Sequence, residues 1–410
     1  MSTDSIVILG AGIIGVATAF YLSEPTAHSG TIHLVEASPE LFASASGKAG
    51  GLVAEDWFGP ATAELGELSF RLHQELATKY GGRKEWGYAR TTGTSVVVGK
   101  SKQKKGQKWL EQGGSRAEVA AGERVEHYAD GEGPGWMRRT RGGKVEVLSE
   151  EGGMAQVDPK RLCRFLLEKC LERGVKLHQP AQAKGIERED DGRLAAVVID
   201  NAAAGEELSI PCTRLLITAG AWTSHVFSTL FPDAPIRVPV SKLAGYSLVV
   251  RSPRWTAKQE DTGCHAVFAS ASEDWSPEVF SRMGEEIYIA GLNDPGLPLP
   301  NLPTNAKVDT QALAELRRVT ENLIGDDFEV IREGLCFRPV TRSGNPILAR
   351  ILDDKLHTDS GTMAKPSGGV YVCAGHGPWG ISLSLGTGKI MSEMLLGQRP
   401  NCDVSSLGLQ

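Results

Sequence analysis

Three glycines, Gly10, Gly12 and Gly15, follow the apolar run Ser5-Ile6-Val7-Ile8-Leu9, and a carboxylate, Glu36, closes a second apolar run that begins at Thr31. Glycines at that spacing let a backbone turn tightly and approach a pyrophosphate. Ile13 and Ile14 then open a helix whose unpaired N–H groups and positive dipole end face the phosphate. An acidic residue about twenty positions further on is placed to accept hydrogen bonds from an adenosine ribose, and Glu36, followed by Ala37, stands there. Strand, turn, helix, second strand and terminal acid in register read as a dinucleotide site, with a plain β-α-β unit as the alternative.

Two further stretches carry chemistry. Ser44-Ala45-Ser46-Gly47-Lys48-Ala49-Gly50-Gly51-Leu52 is too dense in small residues for a helix or a strand. It reads as a loop that runs against a flat ligand and donates from N–H groups and hydroxyls, a surface loop being the alternative. Near the other end, the strand Gly369–Ala374 runs into Gly375-His376-Gly377-Pro378-Trp379-Gly380 and then a helix over 381–395 that carries Gly386 and Gly388. A second strand, glycine-rich turn and helix of this kind brings the chain back to the same cofactor.

The elements that position these residues follow from periodicity and punctuation. Glu64 to Tyr80 has helical spacing, with Leu65, Leu68, Leu72 and Leu76 on one face. Val157-Asp158-Pro159 opens a helix through Leu162, Phe165, Leu166 and Cys170 that stops at Gly174, with Asp158 as its cap and Pro159 in its first turn. Strands follow near Lys176–His178, Ala183–Ile186 and Ala195–Ile199, and a buried strand over 214–217 ends in the small turn Thr218-Ala219-Gly220-Ala221-Trp222. Strands at Thr94–Val98, Tyr246–Val250 and Glu286–Leu292, a proline-rich stretch from Pro295 to Pro303 and a helix from Asp309 to Ile324 make up a second unit. The basic run Lys100 to Lys108 reads as a solvated loop.

With 410 residues, 41% hydrophobic content and 48 glycines, the chain can hold two domains of a loop-rich α/β protein. A net charge of −6 supplies no field for a nucleic-acid backbone. Seven scattered cysteines (163, 170, 212, 264, 336, 373, 402) without a C-x-x-C pair read as reduced thiols, with neither a disulfide framework nor a metal site. No apolar run is long enough to span a bilayer, and a cytoplasmic location is expected.

Taken together, these motifs resemble the D-amino-acid-oxidase-like superfamily of FAD-dependent oxidoreductases, in its glycine oxidase and sarcosine oxidase branch. The markers are the glycine turn with Glu36, the loop 44–52, Val157-Asp158-Pro159, Thr218 to Trp222, Phe337-Arg338-Pro339-Val340-Thr341, and Ala374-Gly375-His376 through Gly388. The resemblance implies a Rossmann-like FAD domain in discontinuous pieces (1–83, 154–223 and 334–410). It implies with it a second α+β substrate domain on a mixed, largely antiparallel sheet (84–153 and 224–333).

By position, Gly10, Gly12 and Gly15 would bind the pyrophosphate and Glu36 the ribose. Residues 44–52 would flank the flavin, Ala183 would touch the adenine, and Ala219, Gly220 and Trp222 would approach the cofactor. His376, Gly377, Trp379, Gly380, Ile381 and Ser382 would face the pyrimidine edge and ribityl chain, with His376 shaping the flavin site. N–H groups opening the helix after Gly380 would stabilise negative charge there. Arg338 matches the arginine that grips a substrate carboxylate; a guanidinium fork offers two parallel donors to two oxygens, and a structural arginine is the alternative. Lys48 would lie near the ring and aid oxygen activation; Tyr246, Tyr288 and Trp379 would line the pocket, with core packing, the commoner place for aromatic residues on strands, as the alternative.

The chain carries Pro378 where glycine oxidase has a second arginine and Ser382 where sarcosine oxidase has a lysine. Cys336 falls at the covalent flavin position of sarcosine oxidase, but Phe-Arg-Pro follows it, as in the non-covalent branch. The expected activity is oxidation of a C–N bond of a small amine or amino acid by hydride transfer to flavin N5, giving an imine, with O2 as acceptor and H2O2 as product. The alternative is an FAD-containing binding or regulatory protein with little turnover.

Overall fold

The fold, seen in a computed structural model, is described for residues 4–97, 108–119, 133–138, 144–149, 152–190, 192–201, 205–270, 275–356 and 368–409. Apart from Lys108, the basic run expected at 100–108 lies outside these residues.

Ser5–Leu9 is buried at every position, as a strand with parallel neighbours on both edges and helices over its faces must be. It lies between Arg214–Ile217 and Thr31–Val35. The parallel order continues to Gly369–Ala374 on one side and Lys176–His178 on the other, and Ile347–Ile351 closes one edge antiparallel. The carboxyl ends of the strands that finish at Leu9, Val35, Ile217 and Ala374 therefore share one edge, the place where open α/β sheets hold ligands. Helix Ile13–Leu22 also meets helix Ser384–Leu395, so closely that a Cβ on Gly388 would stand 2.6 Å from the carbonyl carbon of Ala17.

The second large sheet runs in the order Glu329–Val340, Ser241–Arg251, Glu286–Asp294, Glu278–Arg282, Cys264–Ser270, Ala89–Val97, Met154–Gln156, Leu52–Ala54, with Lys144–Ser149 beside Ala89–Val97. Its pairings are antiparallel except for Cys264–Ser270 with Ala89–Val97, which makes it the mixed sheet expected. A small antiparallel sheet joins Ala181–Arg188, Leu194–Asn201 and Glu206–Pro211. Leu52–Ala54, Met154–Gln156 and Glu329–Val340 belong to the large mixed sheet although the expected unit boundaries put most of their residues with the nucleotide half. The chain that leaves the nucleotide site ends as an edge strand of the other sheet, and this places the two sheets' functional loops side by side.

Two expectations about local structure are corrected. Ala45–Lys48 is a helical turn inside the stretch read as loop throughout, and Leu52 already belongs to a strand. Tertiary bonds fix that turn: Ser46 Oγ accepts from Ile13 N at 2.9 Å and Ser44 Oγ from Phe337 N at 3.2 Å. The last helix starts at Ser384 rather than Ile381. The Ile381 carbonyl faces His73 Nε2 at 3.1 Å and accepts from Ser384 Oγ at 2.7 Å, and the Ser382 carbonyl accepts from Ser69 Oγ at 2.6 Å, so these oxygens leave the helical ladder.

Candidate active site

One cavity opens along the shared edge of strand ends and continues over the large sheet. Gly10 turns the chain off the first strand at φ +107°, with the Thr218 carbonyl where a Cβ would need to be. Gly10, Gly12, Ile13, Ile14, Glu36 and Ala37 line this end of the cavity, with Ala183, Ala219, Gly220 and Trp222. Glu36 Oε2 accepts from Ala11 N and Oε1 from Ser38 N, both at 2.9 Å. Burial raises its carboxyl above the ordinary range, and the backbone bonds oppose that rise. Ile13 N, at the head of the helix, donates to Ser46 rather than standing unpaired as expected. Gly15 is not on the cavity wall: a Cβ there would meet the Gly10 carbonyl oxygen at 2.1 Å, so it lets the helix pack on the turn.

Further along, Ser44, Ala45, Ser46, Ala49, Gly50, Gly51 and Leu52 face His376, Gly377, Gly380 and Ile381 across the same cavity. The Gly50 carbonyl is pinned from behind by Arg282 Nε at 3.0 Å and by Gln156 Nε2 at 2.5 Å. His376 is fully buried, its Nε2 3.1 Å from Thr387 Oγ1. Burial pushes its imidazole down to about 3, so the ring is neutral at working pH.

Four residues expected at the site sit off the wall or are committed elsewhere. Lys48 donates from Nζ to the Leu335 carbonyl at 3.0 Å, and burial lowers its ammonium. Ser382 accepts from Ala54 N at 2.9 Å, tying the last turn to the strand 52–54. Trp379 packs edge-on against Phe58, and Tyr246 is a core residue of the large sheet; Tyr288 does line the cavity.

Over the large sheet, Arg338 Nη1 donates to Asn293 Oδ1 at 2.6 Å, and its remaining N–H groups have no partner among the described residues. The guanidinium crosses the neighbouring strand at Gly245. Asn293 also donates from Nδ2 to the Leu110 carbonyl at 3.0 Å, tying the arginine to the segment 108–119. From that segment Arg116 reaches the cavity wall and grips Glu278 fork on fork, Nη2 to Oε2 at 2.6 Å and Nε to Oε1 at 3.1 Å, while Nη1 reaches the Pro378 carbonyl at 3.4 Å. Burial would raise the Glu278 carboxyl, but the Arg116 charge and hydrogen bonds, helped by Arg338, hold it below its ordinary value.

Sequence reading missed Arg116, Glu278, Asn293 and Gly245. Only Gly245 carried a local signal, a glycine inside a strand, which marks a close approach.

Residues 5–394 match the family model described as FAD dependent oxidoreductase. The chain belongs to that family. This FAD-dependent oxidoreductase is 27% identical over 416 residues to a Schizosaccharomyces pombe protein described as an oxidoreductase, across 96% of this chain and 94% of that one. A D-amino acid dehydrogenase of Granulibacter bethesdensis is 22% identical over 282 residues, 67% of this chain and 56% of that protein. Among solved structures, glycine oxidase from Geobacillus kaustophilus superposes with a TM-score of 0.74 at 19% identity, over 100% of this chain and 99% of that one.

The cavity of the FAD-dependent oxidoreductase fits its family's cofactor on two observations. His376 lines the cavity, and its buried Nδ1 has no hydrogen-bond partner among the described residues. Glu36 holds a carboxylate at the strand end, where ribose hydroxyls can donate to it. No helix among the described residues is long and apolar enough to cross a membrane.

Proposed function

We propose that the protein oxidises a C–N bond of a small amino acid or amine, with O2 as electron acceptor and H2O2 as product. The observation that carries this reading is Arg338, a guanidinium on the cavity wall held by one N–H on Asn293, with no partner for its other donors among the described residues. Such a fork suits a carboxylate.

FAD, when bound, supplies the hydride acceptor. Gly10, Gly12 and the first turn of helix Ile13–Leu22 hold the pyrophosphate, Glu36 the ribose, and the backbone at Ala183 the adenine. The segments 49–51 and 376–381 flank the ring, without a covalent bond from Cys336. Arg338 holds the substrate carboxylate and so orients the α-carbon. A histidine as acidic as His376 is a poor proton acceptor, so His376 serves to shape the site rather than to take a proton from the amine. The imine product hydrolyses once released.

Replacing Arg338 by Ala tests the reading. KM is expected to rise tenfold or more for amino acids and to stay nearly constant for amines without a carboxylate. Equal effects on both classes would remove the assigned role.

A further inference from the structure

Two opposite charges buried beside a cavity cost desolvation that apolar side chains would avoid, so Arg116 and Glu278 call for a role. Both line the substrate half of the cavity, with side chains 7% and 13% exposed. Glu278 Oε1 accepts from both Arg116 N and Nε at 3.1 Å, and Oε2 accepts from Nη2 at 2.6 Å. Arg116 is thereby spent on Glu278 and on the Pro378 carbonyl. The segment that carries it is fastened independently, Leu110 to Asn293 at 3.0 Å and Gly113 to Ser276 at 2.8 Å, so the ion pair is more than a clasp for that segment.

Arg338, Arg116 and Glu278 together leave one net positive charge, on Arg338. Resting on the amino-acid reading above, we propose that the Arg116–Glu278 pair selects substrates with a single carboxylate and rejects those with two. The first carboxylate neutralises Arg338. A second one entering the same cavity meets the ionised Glu278, and the cation beside that carboxylate, Arg116, is already bound to it. Like charges at short range in a site shielded from water repel strongly. Glu278 thus acts as a specificity-determining residue, and Arg116 as the positioning residue that keeps it charged and in place. Removing the Glu278 charge would release Arg116 as a second carboxylate anchor.

The test uses the FAD-loaded protein and two probes of similar length, butyrate and succinate, with binding read from the perturbation of the flavin absorbance. Wild type is expected to bind butyrate at least tenfold more tightly than succinate. Glu278→Gln is expected to shift that ratio at least tenfold toward succinate. Equal binding of the two probes by wild type, or an unchanged ratio in Glu278→Gln, would overturn the proposal. Should Glu278→Gln not fold, the double variant Arg116→Gln with Glu278→Gln replaces the ion pair by hydrogen-bonding amides. Its ratio is expected to fall toward one, and retention of the wild-type ratio would again overturn the proposal. Failure of both probes to perturb the flavin in wild type would overturn the amino-acid reading itself, an outcome distinct from an unchanged ratio.

Discussion

The guanidinium of Arg338 lies across the backbone of Gly245, where a Cβ would stand 2.0 Å from Nη1. The arginine reaches Asn293, two strands away from its own, only because the strand between offers no side chain at that point. Gly245→Ala should therefore displace the guanidinium while leaving the nucleotide half untouched. We expect butyrate affinity to fall at least tenfold, with FAD retained and a stability loss of about 1–3 kcal/mol from overpacking. Unchanged butyrate affinity in a titration of the FAD-loaded variant would contradict this geometry.

Asn293 acts on Arg338 through its amide oxygen. Asn293→Asp keeps the shape but places a carboxylate against the guanidinium, so Arg338 would be neutralised from within the protein. Carboxylate binding is expected to weaken more in Asn293→Asp than in Asn293→Ala, since Ala only removes a hydrogen bond to a charged group, worth about 1.5–3 kcal/mol. The KM values of the two variants for an amino acid decide it, and the reverse order would count against the assignment.

Acid should destabilise the protein through its buried histidines. Burial lowers His376 to about 3 and His73 to about 4 from an ordinary value of 6.5. As pH falls below about 6.5 the unfolded chain takes up these protons while the folded one does not, so the contribution is fully present above about 6.5 and is lost as pH falls from there toward the folded values. Each histidine contributes a slope of up to about 1.4 kcal/mol per pH unit. Melting temperatures between pH 7 and 5 should fall, and fall less steeply in His73→Gln. An identical slope in the variant would contradict the assignment.

Cys336 lies on the cavity wall, yet FAD is expected to be bound without a bond to sulfur. Acid precipitation should leave a colourless pellet and all the FAD in solution, and Cys336→Ser should still load FAD. A yellow pellet that becomes colourless in Cys336→Ser would reverse this.

The nucleotide half was legible because its signals are local. Gly10, Gly12 and Glu36 fall within one β-α-β unit, and their spacing alone carries the geometry. The start of the last helix was not, because side chains from a distant helix, His73 and Ser69, take the carbonyls of Ile381 and Ser382. The turn at Ala45–Lys48 escaped notice for the same reason, since the bonds that fix its serines come from Ile13 and Phe337. Arg116 is the largest omission. It stands in a glycine-rich segment next to a lysine run, and its partner Glu278 is 162 positions away, so nothing in its neighbourhood distinguishes it from a surface arginine. Pro378 brings no charge of its own; the cation at its carbonyl, Arg116, comes from another part of the chain and is already paired with Glu278.

The central claim is that both ends of the chain hold one FAD, which a small amino acid or amine reduces in the cavity beside Arg338. Anaerobic mixing of the FAD-loaded protein with a panel of amino acids and amines tests it most directly. At least one member bearing a carboxylate should bleach the yellow absorbance, and admitting O2 should restore it with formation of H2O2. Absorbance unchanged by every member, or protein that takes up no FAD, would contradict the account.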